Sequence, residues 1–350
     1  MVQLLITGGL GFLGQQAARR FLRPNAALWS PVDRCFKPLS QLTLFDQSLP
    51  TDQGALTHEI KHDPRVRVLT GDITEPGVTE ELVDDPDISV IHLASMVSGD
   101  SEVEPDRAWS VNVLAQRGLL EALRSKAPMA RFLLTSSTAT FGAMRDGAAP
   151  PGDQTKQVPG NTYGFHKVVC EMMLNEYSRR GWVDGRGLRL PVIVVRPGAP
   201  NKALTTCWSS AVREPLRGQP TTLPVGAASR LPCASYQTAS AAIEHLLVHV
   251  PDASLRRLGH DRVFTLPSLS LSPAELHAAA AELAEARGLT IGAMEEAPTE
   301  LATRVVQSMG GAADGSRAQQ LGLPQDESAA SIVEGYARDY VFEAAHEVDA

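Results

Sequence analysis

Tyr163 and Lys167 stand four residues apart in the stretch NTYGFHKVVCEMMLNEY, residues 161–177. Four residues is one turn of a helix, so the two side chains can share a face. A phenol is a poor base near neutrality, its ordinary pKa being about 10. An ammonium at about 4 Å in a partly shielded site favours the phenolate by roughly 4 kcal/mol at an effective dielectric near 20. That corresponds to roughly three pKa units, an upper figure that desolvation trims. Such a pair can take a proton from a hydroxyl group. Alone, the spacing also suits an aromatic packed at a helix start. The chain must therefore supply a cofactor, a partner hydroxyl and room for a substrate.

The hydroxyl is available at the end of an apolar run, LLTSSTATFG. The cofactor signal is TGGLGFLG, residues 7–14, which leaves a short apolar run and enters an amphipathic one. Gly8, Gly11 and Gly14 let the chain turn sharply, so that backbone N–H groups around Phe12 and Leu13 can approach a pyrophosphate at a helix N-terminus. An acid at the end of the second strand holds the adenosine ribose in such folds. Asp33 has the more usual spacing but lies in WSPVDRC, a loop-like stretch. Asp46 closes the stronger strand, QLTLFD, and is chosen. An acid there repels a 2′-phosphate, so NAD is expected rather than NADP. Asp72 with Ile73 ends the third strand and is placed for adenine. Leu93, Ala94 and Pro197 are further expected cofactor contacts.

The elements that position these residues alternate. Apolar runs at 3–8, 41–46, 65–72, 87–95, 130–137 and 190–198 read as six strands separated by helical segments. That pattern implies a Rossmann-type α/β fold, a doubly wound parallel sheet covered on both faces. After Gly198 proline and glycine punctuate the chain, which suggests a smaller substrate lobe. The expected division is 1–197 for the NAD-binding domain with a returning segment near 236–267, and 198–235 with 268–350 for the lobe. SPAELHAAAAELAEARG is a helix with proline just inside its start and Gly288 at its end.

Bulk properties narrow the class. A net charge of −8 gives no general attraction to nucleic acid or anionic membranes. Cys35, Cys170, Cys207 and Cys233 form no C-x-x-C pair, which points to reduced thiols in the cytoplasm. No apolar run approaches the roughly 20 residues that span a bilayer, and MVQLLITGG enters a strand at once, without the charged region of a signal peptide. No pattern suggests a metal.

With glycine turn, Ser/Thr strand end and Y-x-x-x-K in this order, the chain resembles the extended short-chain dehydrogenase/reductase family, also called the NAD-dependent epimerase/dehydratase family. TGGLGFLG, SSTATFG and YGFHK carry the resemblance, which covers most of the chain. It implies Ser137, not Ser136, as the hydroxyl beside Tyr163, and Asn112 of WSVNVLA as a support of the site. Dehydratases of the family carry an Asp–Glu pair where this chain has Thr138 and Ala139. Epimerases follow the sixth strand with an aromatic–Asn segment that is missing here. RLPVIVVRPGAPNKA, VREPLRGQ, HLASMVSGD and YSRRGWVDGRGLRLP are similar instead to the D-erythronate 2-dehydrogenase subgroup.

That resemblance implies oxidation of the C2 hydroxyl of a short sugar acid. Tyr163 takes the proton, Ser137 holds the oxygen, and Lys167 holds the tyrosinate and the cofactor ribose. The substrate carboxylate needs a cation, for which Arg213 is the first choice and Arg230 the second. Ser98 is a candidate for a substrate hydroxyl. Arg196 and His92 read as structural, and His166 as surface or packing. The rival readings are a nucleotide-sugar epimerase with tightly bound NAD and a non-catalytic NAD sensor. The family further implies a homodimer through helices that present Leu119, Leu120, Met172 and Met173.

Overall fold

The computed structural model describes residues 1–50, 56–144, 147–198 and 204–342. Residues 199–203, the start of the proline-rich stretch read above as a lobe, and 343–350 at its end lie outside them. The strands are β1 (Val2–Thr7), β2 (Ala27–Ser30), β3 (Cys35–Asp46), β4 (Val66–Thr70), β5 (Ile88–His92), β6 (Arg131–Ser137) and β7 (Asp184–Leu190). They continue as β8 (Val192–Val194), β9 (Thr221–Leu223), β10 (Leu231–Ser235), β11 (Val263–Thr265), β12 (Leu269–Leu271) and β13 (Met294–Glu296).

The main sheet runs β4-β3-β1-β5-β6-β7-β11 with every pair parallel, and β2 adds an antiparallel hairpin to the first residues of β3. This is a Rossmann-like doubly wound sheet. The chain's second and fourth parallel strands, β3 and β5, flank the first, so the winding reverses beside β1. Alternation builds both faces. Leu4 and Ile6 join the core under the helices Phe12–Phe21 and Tyr236–Glu244. Leu5, Val90, Phe132 and Leu134 join the opposite core, with Leu119 and Leu120 of the helix Ala115–Lys126 and Leu174 of the helix Thr162–Arg179. Each such fully buried side chain contributes about 1.5–3 kcal/mol. Leu119 and Leu120 are thus core residues, whereas Met172 is exposed.

The sixth parallel strand is Asp184–Leu190, not the apolar run 190–198 expected from sequence. Charge disguises it. Arg186 is buried and bonds to Asp184 at 2.7 Å and to the carbonyls of Leu246 and Val250 at 2.5 and 2.6 Å. It thereby satisfies carbonyls that a helix end leaves without partners. Arg189 lies between two carboxylates, Asp153 at 2.8 Å and Glu171 at 2.8 Å. Pro191 then interrupts the ladder, having no N–H to donate. The chain crosses into a second sheet, β12-β10-β8. That sheet packs with Trp208, Leu276 and Tyr336 in a third core. β11 returns to the main sheet beside β7. The helix Pro273–Ala286 opens on a Ser272–Glu275 capping box, and Gly288 beyond its end has φ +65°.

Candidate active site

The C-terminal ends of β1, β3, β4, β5 and β6 lie along one edge of the sheet. The crevice beside the winding reversal is where this class of fold binds ligands. Two cavities of about 300 and about 280 Å³ occupy it and share Gly8, Gly11, Leu93 and Ser95 in their walls.

The three turn glycines differ in what makes them glycine. Gly8 has φ +69°, and a Cβ there would stand 2.7 Å from the backbone N of Ala94. A Cβ at Gly14 would stand 2.3 Å from the Gly8 carbonyl oxygen. Both are required by the fold itself. Gly11 is not: its φ is −69°, and a Cβ would meet only the Gly8 oxygen at 3.3 Å. It caps the helix Phe12–Phe21 and lines both cavities. A methyl at Gly11 would occupy the space where the first helical amides face outward. The turn therefore fits a pyrophosphate that approaches the backbone closely. Leu13 lines the cavity, while the Phe12 ring turns away to pack edge-on against Tyr236 at 5.2 Å.

The second cavity is lined by Asp46, Asp72, Ile73 and Ala94 together. Asp46 accepts from the N–H of Leu10 at 3.2 Å and of Gln47 at 2.8 Å. Asp33 sits before β3, at the other end of the sheet, paired with Lys37. The N–H and hydroxyl of Thr74, at 2.9 and 2.7 Å, hold the Asp72 carboxyl below its usual range. Arg107 also fronts this cavity, a residue whose place no motif announces.

Ser137, Tyr163 and Lys167 line the other cavity together. Both serines line that cavity, and strand alternation separates their partners. Ser136 donates its hydroxyl to the buried Glu171, and Ser137 accepts from the N–H of Ala139 at 3.1 Å. Asn161 caps the helix Thr162–Arg179, accepting from the N–H of Gly164 at 2.7 Å. Lys167 is only 3% exposed, lies 5.5 Å from the centre of the Tyr163 ring, and donates to the Thr135 carbonyl at 3.0 Å. Among the described residues no carboxylate pairs with it. Asn112 lies in a wide helical turn, Ser110–Leu114. Its side chain accepts from the N–H of Met96 at 2.7 Å and from Ser95 Oγ at 3.0 Å, and so pins the loop between the two cavities. Wide turns of this kind recur at functional sites.

His92 and His166 are both buried. Burial, then the Lys167 charge, pushes His92 down to about 3, and its Nδ1 meets Thr7 Oγ1 at 2.7 Å. His166 is lowered by the same two causes and packs against Trp109 and Asn112, so it is an interior residue, not a surface one.

Arg213, Arg230, Ser98 and Pro197 line neither cavity. Arg213 is 1% exposed, and its guanidinium already serves Glu214, Ser210 and the Arg196 carbonyl. Arg230 is held by Glu275 at 2.9 Å and by Ser270. Ser98 begins a short helix one residue beyond Val97, which does line the cavity. Past β7 the wall is made by Pro191 and Ile193, not Pro197.

These features define a dinucleotide-binding α/β enzyme, and comparison with known proteins gives the family. The NAD-dependent epimerase/dehydratase family matches residues 4–231. A D-erythronate dehydrogenase of Cupriavidus necator is 38% identical over 97% of this chain and 98% of its own. One of Haemophilus influenzae is 33% identical over 96% and 98%. A solved structure described as the nucleoside-diphosphate-sugar epimerase of Agrobacterium tumefaciens is 29% identical, with a TM-score of 0.81 over 97% of this chain and 94% of that one. The chain belongs to the NAD-dependent epimerase/dehydratase family. It is an NAD-dependent enzyme that oxidises a CH–OH group.

Two outcomes follow. Gly11→Ala should fold normally yet weaken NAD binding about tenfold or more, a loss of about 1.4 kcal/mol. Gly14→Ala should instead destabilise the protein by about 1–3 kcal/mol through overpacking. Calorimetric titration with NAD and denaturant unfolding distinguish the two, and an unchanged Kd in Gly11→Ala would refute the close approach. For His92, the unfolded chain binds a proton below about pH 6.5 while the folded chain resists it down to about pH 3. Its stabilising contribution is complete above that window and declines as pH falls through it, by at most about 1.4 kcal/mol per pH unit. Unfolding at about pH 7 and about pH 5 should show that decline, and His92→Gln should flatten it.

Proposed function

We propose that the protein oxidises the C2 hydroxyl of a short sugar acid, D-erythronate foremost, to the 2-oxo acid with NAD. The observation that carries this reading is the convergence of Ser137, Tyr163 and Lys167 on the cavity that also holds Gly8, Gly11 and Gly14. Asp46 is assigned to the adenosine ribose and Asp72 with Ile73 to adenine. The glycine turn takes the pyrophosphate. Ser137 and Tyr163 hold the substrate hydroxyl, and Tyr163 accepts its proton. The Lys167 ammonium stabilises the phenolate as that proton moves and reaches the nicotinamide ribose. NAD supplies the hydride acceptor. The substrate class rests on the two D-erythronate dehydrogenases, which match nearly the whole chain. The division into an NAD-binding part, 1–197 with 236–267, and a substrate lobe belongs to the same proposal.

NAD reduction by D-erythronate should be rapid, with NADP and L-threonate giving little. Tyr163→Phe should lose about 100-fold or more in kcat, the scale of general-base catalysis. No turnover with any four-carbon acid, together with tightly copurifying NAD, would favour the epimerase reading suggested by the Agrobacterium structure.

We further place the enzyme in the cytoplasm as a homodimer. No disulfide joins the cysteines, and no helix among the described residues is long and apolar enough to cross a membrane. Leu114, Phe165 and Met172 are 46, 49 and 53% exposed, and Phe165 stacks on Trp109 at 6.0 Å, so an apolar face covers the helices that carry Asn112 and Tyr163. Light scattering should give twice the 37.5 kDa chain mass, and Phe165→Glu should halve it. A monomeric wild type refutes the dimer.

A further inference from the structure

Tyr163, Lys167 and Glu171 recur at intervals of four on one helix, so all three address the same face. The first two reach the cavity. Glu171 does not: it is fully buried and accepts four hydrogen bonds. Arg189 supplies two, from Nε at 2.9 Å and Nη2 at 2.8 Å, Gln157 supplies one at 2.6 Å, and the fourth comes from Ser136 Oγ. The helix therefore grips the end of β6 at two successive residues. Lys167 holds the Thr135 carbonyl, and Glu171 holds the Ser136 hydroxyl. The next residue is Ser137.

A buried ion pair with Arg189 explains why a carboxylate sits here. It does not explain the bond to Ser136. Without that bond, each Glu171 oxygen would still have an Arg189 donor, and one would keep Gln157 as well. The charge would stay satisfied, so the serine bond adds little to the burial of Glu171. What it does fix is the distance between the strand end and the helix. Groups that must meet one substrate atom tolerate misplacement of only about 0.5 Å, and about 1 Å can cost on the order of 100-fold in rate.

We propose that Glu171 is a positioning residue which, through Ser136, sets where Ser137 stands relative to Tyr163. The inference rests on the roles given to Ser137 and Tyr163 above. Steady-state kinetics with NAD and D-erythronate test it. Ser136→Ala should lower kcat about tenfold, one displaced contact of ~1.4 kcal/mol, with KM for NAD and Tm unchanged. Ser136→Thr, which keeps the hydroxyl, should restore most of the rate. Glu171→Gln should lose at least as much as Ser136→Ala, and the double variant no more than Glu171→Gln alone, because both act through one bond. Multiplied losses in the double variant would put Ser136 directly on the substrate and overturn the proposal. So would a wild-type kcat in Ser136→Ala. If Glu171→Gln fails to fold, a wild-type kcat in Ser136→Ala still overturns the proposal. Tyr163→Phe separates the levels: full activity in that variant sinks the functional reading, whereas its inactivity beside a fully active Ser136→Ala sinks only this inference.

Discussion

The crevice depends on one buried ammonium. Lys167 is held by the Thr135 carbonyl, and among the described residues no carboxylate neutralises it. A cation removed from water is costly unless dipoles or charges compensate it. Here a strand-end carbonyl faces it directly. Burial, together with the field of the ammonium, pushes the pKa of both His92 and His166 down, which opposes a second positive charge in the site. Both histidines then serve the frame. Thr135 Oγ1 donates to the His92 carbonyl at 3.0 Å, and the His92 ring meets Thr7 immediately before the glycine turn. A short chain of polar contacts thus runs from the ammonium to the turn.

The crevice has electrical ends. Asp46 and Asp72 stand at one, Lys167 at the other, and the open face of Gly11 lies between. A dinucleotide has matching demands: sugar hydroxyls that donate to carboxylates, a pyrophosphate that wants N–H groups, and a ribose that can accept from an ammonium. Orientation is therefore built into the lining before any substrate arrives.

Much of this was legible in the sequence, for identifiable reasons. Continuous apolar runs marked β1, β5 and β6, and the glycine spacing marked the turn, because buried parallel strands and close backbone approaches restrict residue type. The Tyr163–Lys167 pair could be read because its spacing is one turn of a single helix, and Ser137 because it closes an apolar run. What the sequence hid in β7 depended on partners distant in the chain. β7 reads DGRGLRL and looks like a surface loop until Arg186 finds helix-end carbonyls and Arg189 finds Asp153 and Glu171. The β2–β3 hairpin hides behind Pro31, Asp33 and Pro38, residues that usually punctuate loops. Arg213 looks like a carboxylate anchor until its guanidinium is found against Glu214, Ser210 and the Arg196 carbonyl. The wide turn at Asn112 leaves no compositional trace.

Pro191 is the point where one strand becomes two. β7 belongs to the main sheet and β8 to the second, yet only a single residue separates them. Leu190, Pro191 and Ile193 at that junction form a wall of the crevice. The two sheets therefore share a common beam, and the beam is also the side of the binding slot. Any tilt of the second sheet is transmitted to the slot's width over a lever arm of a few residues, with no intervening loop to absorb it. Mechanical slack is absent at the place where cofactor and substrate must be brought face to face.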